Sequence, residues 1–184
     1  MKKLVSIIVG GTGQLGVCLS QELLKNNNKV IITTRSFSKK TIKIDPKVKI
    51  LKLNIYNKIQ IKNLIKKYKP DFIFHLAAQA LVKKSYLKPL ETFETNAIGT
   101  LNLLESLKNY NTKKICSVVI ITSDKSYKNL ELDRGYKEDD ILGGYDPYSA
   151  SKACAELIIQ SYLKSFMKTK KNIRISVARA GNVI

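Results

Sequence analysis

The chain has 184 residues, is 44% hydrophobic and carries a net charge of +19. That length supports one well-cored domain and is too short for two large ones, and no apolar run approaches the length a bilayer span needs. The 33 Lys and Arg are scattered and often alternate with apolar residues, as in Thr41-Ile42-Lys43-Ile44 and Val48-Lys49-Ile50-Leu51-Lys52-Leu53. This pattern reads as the wet faces of strands and helices. No recognised nucleic-acid motif accompanies the charge, so neither nucleic acid nor membrane is expected as a partner.

Leu4 to Val9 is a continuous apolar run followed by glycines without a small-residue cleavage site. It reads as a first core strand buried on both faces, and not as a signal peptide. A first helix begins near Gly13 or Gln14, presents Leu15, Leu19 and Leu23 on one face, and stops at Asn26-Asn27-Asn28. Lys29 to Thr34 and Val48 to Leu53 are the second and third strands. Asn57 caps a helix carrying Ile61, Leu64, Ile65 and Tyr68, which Pro70 closes. Phe72 to Leu76 is the fourth strand. A helix from about Pro89 carries Phe93, Ala97, Leu101 and Leu104, and Val118 to Ile121 is the fifth strand. A last long helix starts at Asp146-Pro147, with a good N-cap and a proline at its first position. Its expected buried stripe is Ala150, Ala153, Cys154, Leu157 and Ile158, and a sixth strand runs from Ile173 to Ala178. Strand and helix alternate throughout. The expected fold is α/β, an open, doubly wound parallel sheet of the Rossmann kind. In such a sheet ligands bind beyond the carboxyl ends of the strands.

Three cysteines, Cys18, Cys116 and Cys154, lack metal-like spacing, and His75 is the only histidine. Buried thiols, a reducing cytoplasm and no metal site are expected.

Gly10, Gly13 and Gly16 have the spacing G-x-x-G-x-x-G between the first strand and first helix. A phosphate must approach backbone N–H groups closely at a helix N-terminus, where side chains would block it. Glycines also mark ordinary turns, but this placement points to a dinucleotide held by Gly10, Thr12, Gly13, Gln14, Leu15 and Gly16. After the second strand an NAD binder usually places an acid against the ribose. Here Thr33-Thr34-Arg35-Ser36 has none, and Arg35 can instead meet a 2′-phosphate, so the choice between NAD and NADP leans slightly to NADP. Tyr148 and Lys152 lie four apart on one helix face. An ammonium held beside a phenol favours the phenolate, which can take a proton from a sugar hydroxyl while hydride leaves the same carbon. The alternative is a helix-start aromatic beside a solvated lysine. Asp124 and Lys125, an acid beside a base after the fifth strand, read either as a solvated turn or as a catalytic pair.

Taken in order, Gly10-x-x-Gly13-x-x-Gly16, His75-Leu76-Ala77-Ala78, Asn96 with Gly99-Thr100, Tyr148-x-x-x-Lys152 and Arg179-x-x-Asn182-Val183 resemble the extended short-chain dehydrogenase/reductase superfamily. Within it, FIFHLAAQ (72–79), TSDKSY (122–127), GGYDPYSASKACAE (143–156) and RAGNVI (179–184) are similar to the CDP-glucose 4,6-dehydratase family. The resemblance implies oxidation of a nucleotide-sugar at C4 with Tyr148 as base, elimination of water across C5 and C6, and return of hydride to C6. Ser123 would hydrogen-bond the C4 oxygen and Asp124 would protonate the departing C6 hydroxyl. Lys125 stands where many sugar-nucleotide dehydratases carry a glutamate base; it would act either as a neutral base or as a cation over an enolate. The resemblance further implies cofactor contacts from Asn54, Ile55, Leu76, Ala77, Ala78, Tyr148 and Lys152, substrate contacts from Gln79 and Asn182, and a homodimer. It covers residues 1–184 as a cofactor-binding domain and leaves out most of the smaller substrate lobe that family members have. Asn96 either braces a proton relay or satisfies buried backbone, and His75 reads as a packed strand residue.

Three other readings stand beside this one. A 4-epimerase only oxidises and reduces, and typically has small residues in place of Asp124 and Lys125. A GDP-mannose 4,6-dehydratase-like enzyme is suggested by Thr34-Arg35-Ser36. A non-catalytic dinucleotide-binding module would use the same glycine loop.

Overall fold

The computed structural model describes residues 3–37 and 43–181. Its centre is a six-stranded, all-parallel sheet: β1 (Val5–Val9), β2 (Lys29–Thr34), β3 (Lys49–Lys52), β4 (Phe72–His75), β5 (Cys116–Ser123) and β6 (Ile173–Ala180). The spatial order is β3-β2-β1-β4-β5-β6, so the chain reverses direction across the sheet between β1 and β4. This is the doubly wound arrangement expected from the alternating pattern, with its ligand crevice at the β1–β4 switch point.

Register follows the period of two. Ile7 pairs with Ile31 and Ile73, while Ile8 pairs with Ile32 and Phe74. Ile7, Ile31 and Ile73 join the larger core with Ile61, Leu64 and Ile65 of α2 (Lys58–Tyr68), Leu103, Leu104 and Leu107 of α5 (Gly99–Lys108), and Ile159 of α6 (Pro147–Tyr162). Ile8 and Ile32 face the other way, against Leu19, Leu23 and Leu24 of α1 (Gln14–Lys25).

Helix boundaries have local causes. The Asn57 Oδ1 accepts from the Gln60 amide at 3.1 Å at the start of α2. Lys69 ends that helix in the left-handed region, at φ 45°. Asp146 accepts from the Tyr148 and Ser149 amides, each at 3.0 Å, and opens α6. Between β4 and α5 lie two short helices, α3 (Val82–Leu87) and α4 (Pro89–Phe93), and one turn of π-helix, Glu94–Ile98. The first of these was not expected: it has six residues, two of them lysines, and no side-chain cap.

Two helix faces differ from the apolar pattern. Leu15 of α1 is exposed, and Gly16, Val17 and Ser20 are buried instead. Leu157 of α6 is exposed, while Tyr148, Ser151, Lys152, Ala155, Glu156 and Ile159 are buried. Small residues let α6 lie close to its neighbours, and this close packing selects a face that carries polar groups. The thiols also depart from expectation: Cys116 is buried, Cys154 half-buried, and Cys18 exposed, all three free.

Candidate active site

The glycine loop is built for close approach. Gly10 has φ +77°, and a Cβ there would stand 2.4 Å from the Ala77 Cα. The Gly10 and Gly11 amides both turn back onto the Thr33 carbonyl, at 3.1 and 3.2 Å. A Cβ on Gly16 would meet the Gly11 carbonyl oxygen at 2.4 Å, so Gly16 seats α1 against the loop. Gly13 is different: a Cβ there would meet nothing within 4 Å. It is the N-cap of α1, and no side chain caps that helix. The start of α1 is thus uncapped and uncrowded at Gly13, the positive end of a helix, which suits a pyrophosphate.

A cleft of about 530 Å³ opens over this loop. Gly10, Thr12, Gly13, Arg35, Ile55, Leu76, Ala77, Ala78 and Gln79 line it. That volume and the mixed apolar and polar lining suit a dinucleotide. Six expected cofactor residues, Gln14, Leu15, Gly16, Asn54, Tyr148 and Lys152, are not among its lining. Asn54 accepts from the Tyr56 amide at 3.0 Å, so its side chain stabilises its own turn. The Gln79 amide is also engaged internally: it accepts from the Leu81 amide at 2.8 Å and donates to the Leu81 carbonyl at 3.0 Å. Gln79 is thus a brace for the loop after β4. Asn182 lies outside the described residues.

The second group of candidates sits at the end of β5. Ser123 is buried, and its hydroxyl donates to Asp124 Oδ1 at 3.0 Å while accepting the Lys125 amide at 3.2 Å. Asp124 to Ser126 form one tight 3₁₀ turn, with the Asp124 and Lys125 side chains exposed. The Asp124 carboxylate lies 3.6 Å from where a Cβ on Gly181 would stand, an ordinary contact distance that sets the acid beside the end of β6. α6 packs against this turn. It brings Tyr148, 8% exposed, and Lys152, 6% exposed, to the same edge. Burial pushes the Lys152 ammonium down to about 8, while the charge of Glu156 pulls the other way.

These residues do not line the nucleotide cleft. One side chain joins the two regions. The Asn96 Oδ1 accepts from the Gln79 amide at 2.8 Å, and its Nδ2 donates to the Ser151 hydroxyl at 2.8 Å and the Gln79 carbonyl at 3.1 Å. Asn96 stands in the π turn, which is a common place for such an insertion. It clamps the cleft loop to the helix that carries Tyr148 and Lys152.

A further polar network was not expected from sequence. Glu156 is 2% exposed and receives Arg179 Nε at 2.8 Å, Arg179 Nη2 at 3.2 Å and the Thr122 hydroxyl. Arg179 also donates to the Tyr127 hydroxyl at 2.6 Å. The network ties β5, β6 and α6 together beside Ser123. Its one sequence signal is that Glu156 stands four residues after Lys152 on the same face.

The family model described as GDP-mannose 4,6 dehydratase matches residues 7–179. The chain belongs to this family. It is 46% identical over 129 residues to CDP-glucose 4,6-dehydratase of Salmonella typhimurium, a match over 68% of this chain and 35% of that protein. It is 32% identical over 195 residues to dTDP-D-glucose 4,6-dehydratase of Dictyostelium discoideum, covering 96% of this chain and 43% of that protein. The chain therefore spans less than half the length of these relatives. Among solved structures, UDP-glucose 4-epimerase of Thermotoga maritima with UDP-glucose superposes with a TM-score of 0.82 at 22% identity, covering 96% of this chain and 55% of that one. UDP-glucose 4-epimerase of Thermus thermophilus in complex with NAD gives 0.79 at 24% identity, covering 96% and 54%. These two likenesses establish the fold.

Proposed function

We propose that residues 1–184 are the dinucleotide-binding domain of a nucleotide-sugar 4,6-dehydratase that converts CDP-glucose to CDP-4-keto-6-deoxyglucose. The observation that carries this reading is the Ser123-Asp124-Lys125 turn held against the helix of Tyr148 and Lys152. An enzyme that only oxidises and reduces C4 has no use for an acid and a base one residue apart at that edge. The 46% identity to a CDP-glucose 4,6-dehydratase supports the choice of nucleotide and sugar.

In this reading the loop Gly10 to Gly13 at the N-terminus of α1 holds the pyrophosphate, and Leu76 to Ala78 and Ile55 wall the cleft. A bound NAD or NADP supplies the acceptor for the C4 hydride and its return to C6. Tyr148, as a phenolate favoured by the Lys152 ammonium, takes the C4 hydroxyl proton and becomes a phenol. Ser123 donates to the C4 oxygen. With C4 a ketone, the C5 proton becomes acidic. Asp124 gives its proton to the C6 hydroxyl, which leaves as water as the C5–C6 double bond forms. Lys125 serves the C5 proton step, as base or as the cation over the enolate. Arg35 gives the cofactor choice its slight lean to NADP.

The smaller lobe that recognises the nucleotide base lies, in this proposal, outside residues 1–184. A homodimer is supported by α3, α4 and α6, which pack together and carry exposed Tyr86, Leu87, Leu90 and Leu157. Free thiols fit a cytoplasmic protein. No described helix is long and apolar enough to cross a membrane. The test is incubation of a version that includes the smaller lobe with CDP-glucose and NAD or NADP. A 4-keto-6-deoxy product, seen by its absorbance in alkali, is expected, and a sugar merely inverted at C4 would replace this reading with an epimerase.

A further inference from the structure

The mouth of the nucleotide cleft holds a charge cluster that the proposed chemistry does not use. Arg35, at the end of β2, and Lys84, on α3, both line the cleft, and so does Glu91 on α4. One carboxylate oxygen of Glu91 accepts from both cations: Arg35 Nη1 at 3.1 Å and Lys84 Nζ at 3.0 Å. Lys88 Nζ lies 3.9 Å from the other oxygen. Glu91 is the one acid among the described residues lining this cleft. The Lys84 and Arg35 contacts hold its carboxyl below the usual carboxylate range.

The placement is not accidental to the fold. Pro89 opens α4, which puts Glu91 in the first turn, where a carboxylate is favoured. Thr34 donates to the Ser36 carbonyl at 2.9 Å and so shapes the turn that presents Arg35. Two elements far apart in sequence therefore meet at the rim through this acid. Arg35 is the residue that a 2′-phosphate would need, because β2 ends without the acid that an NAD binder places against the ribose. In the structure that arginine already has an anionic partner. A 2′-phosphate carries about two negative charges near neutral pH. It has to share Arg35 and Lys84 with Glu91 or displace it.

We propose that Glu91 sets the preference between NAD and NADP, by competing with a 2′-phosphate for Arg35 and Lys84. The inference rests on the dinucleotide reading of the cleft. Glu91 acts through the two cations and is a specificity-determining residue, with no part in the chemistry at the sugar.

The experiment is a fluorescence titration of the protein with NADH and NADPH, with ADP and 2′,5′-ADP as competitors. It is run on the wild type, Glu91→Gln, and Glu91→Gln combined with Arg35→Gln. Glu91→Gln is expected to raise NADPH affinity at least tenfold relative to NADH, and 2′,5′-ADP affinity relative to ADP by a similar factor. Adding Arg35→Gln is expected to erase that gain. NADH binding to each variant confirms that it is folded. An unchanged NADPH-to-NADH ratio in Glu91→Gln, or a gain that survives loss of Arg35, overturns the inference and leaves the dinucleotide reading standing. Failure of the wild type to bind either nucleotide overturns both.

Discussion

Lowering the pH from 7 to 5 removes stability from this fold chiefly through His75, ahead of most of the carboxylate titration. His75 is 2% exposed at the end of β4. The Thr100 hydroxyl donates to the Asn96 carbonyl at 2.7 Å, so it must accept from His75 Nε2–H, 3.1 Å away. Among the described residues His75 Nδ1 has no hydrogen-bond partner. A second proton there would be buried and unpaired, with the Lys152 ammonium also opposing it. Burial first, and then that charge, push the imidazole from 6.5 to about 3. The folded state keeps the ring neutral, whereas the unfolded chain takes up a proton as the pH falls below 6.5. Stability is therefore present above 6.5 and is lost progressively toward 3. Between pH 7 and pH 5 the loss is about 2 kcal/mol. Urea unfolding at pH 7, 6 and 5 measures it, with His75→Gln as the control that cannot charge. The wild type should lose about 2 kcal/mol more than the variant over that interval. Because the chain has one histidine, its imidazole NMR signals are unambiguous and should not titrate near 6.5. Equal pH slopes in the two proteins, or a ring that titrates near 6.5 in the folded state, would refute the reasoning.

Gly10→Ala and Gly13→Ala should separate folding from binding. The first forces a Cβ to 2.4 Å from Ala77 at a positive φ and should cost roughly 1–3 kcal/mol in thermal unfolding. The second meets nothing in the protein, so it should keep the melting temperature but weaken NADH binding by titration. Glu156→Gln leaves Arg179 without its buried anion and should destabilise by about 3 kcal/mol in urea, through loss of the bracket on β5, β6 and α6. With Lys152 at about 8, catalysis that depends on its ammonium should fall as the pH rises through that value, and Lys152→Met should remove that limb from the pH profile.

The sheet was legible because its signals are local. Ile7-Ile8 and Ile31-Ile32 are apolar runs that a two-faced parallel strand requires, and the caps Asn57 and Asp146 sit where their helices begin. The glycine loop was legible for the same reason: its spacing is set by a turn, a close approach and a helix start within seven residues. Helix faces were legible where one apolar side meets the core, as Ile61, Leu64 and Ile65 of α2 do, and less so in α1 and α6. Leu15 and Leu157 match an apolar stripe, yet the buried sides of α1 and α6 are those with Gly16, Ser20, Ser151 and Ala155. Close approach to the sheet and to the Asp124–Ser126 turn outweighed hydrophobicity there. The pairs Arg35–Glu91 and Glu156–Arg179 join residues 56 and 23 apart, and no periodicity encodes such meetings. Among the site residues, Gly10, Gly13, Ala77 and Arg35 were placed at the cleft by motif alone, and Asn96 satisfies buried backbone, one of the two roles its sequence setting offered, whereas Gln79, expected at the substrate, emerged as a loop brace only from the packed loop.

The central claim is that C4 oxidation and loss of the C6 hydroxyl occur at one edge of the sheet, through Tyr148 and Asp124. CDP-glucose deuterated at C4 tests it most directly. Elimination with hydride return must move the label from C4 to C6 of a 4-keto-6-deoxy product, and Asp124→Asn must suppress that transfer more than it suppresses C4 oxidation. Label found still at C4, in an inverted or unchanged hexose, would contradict the assignment.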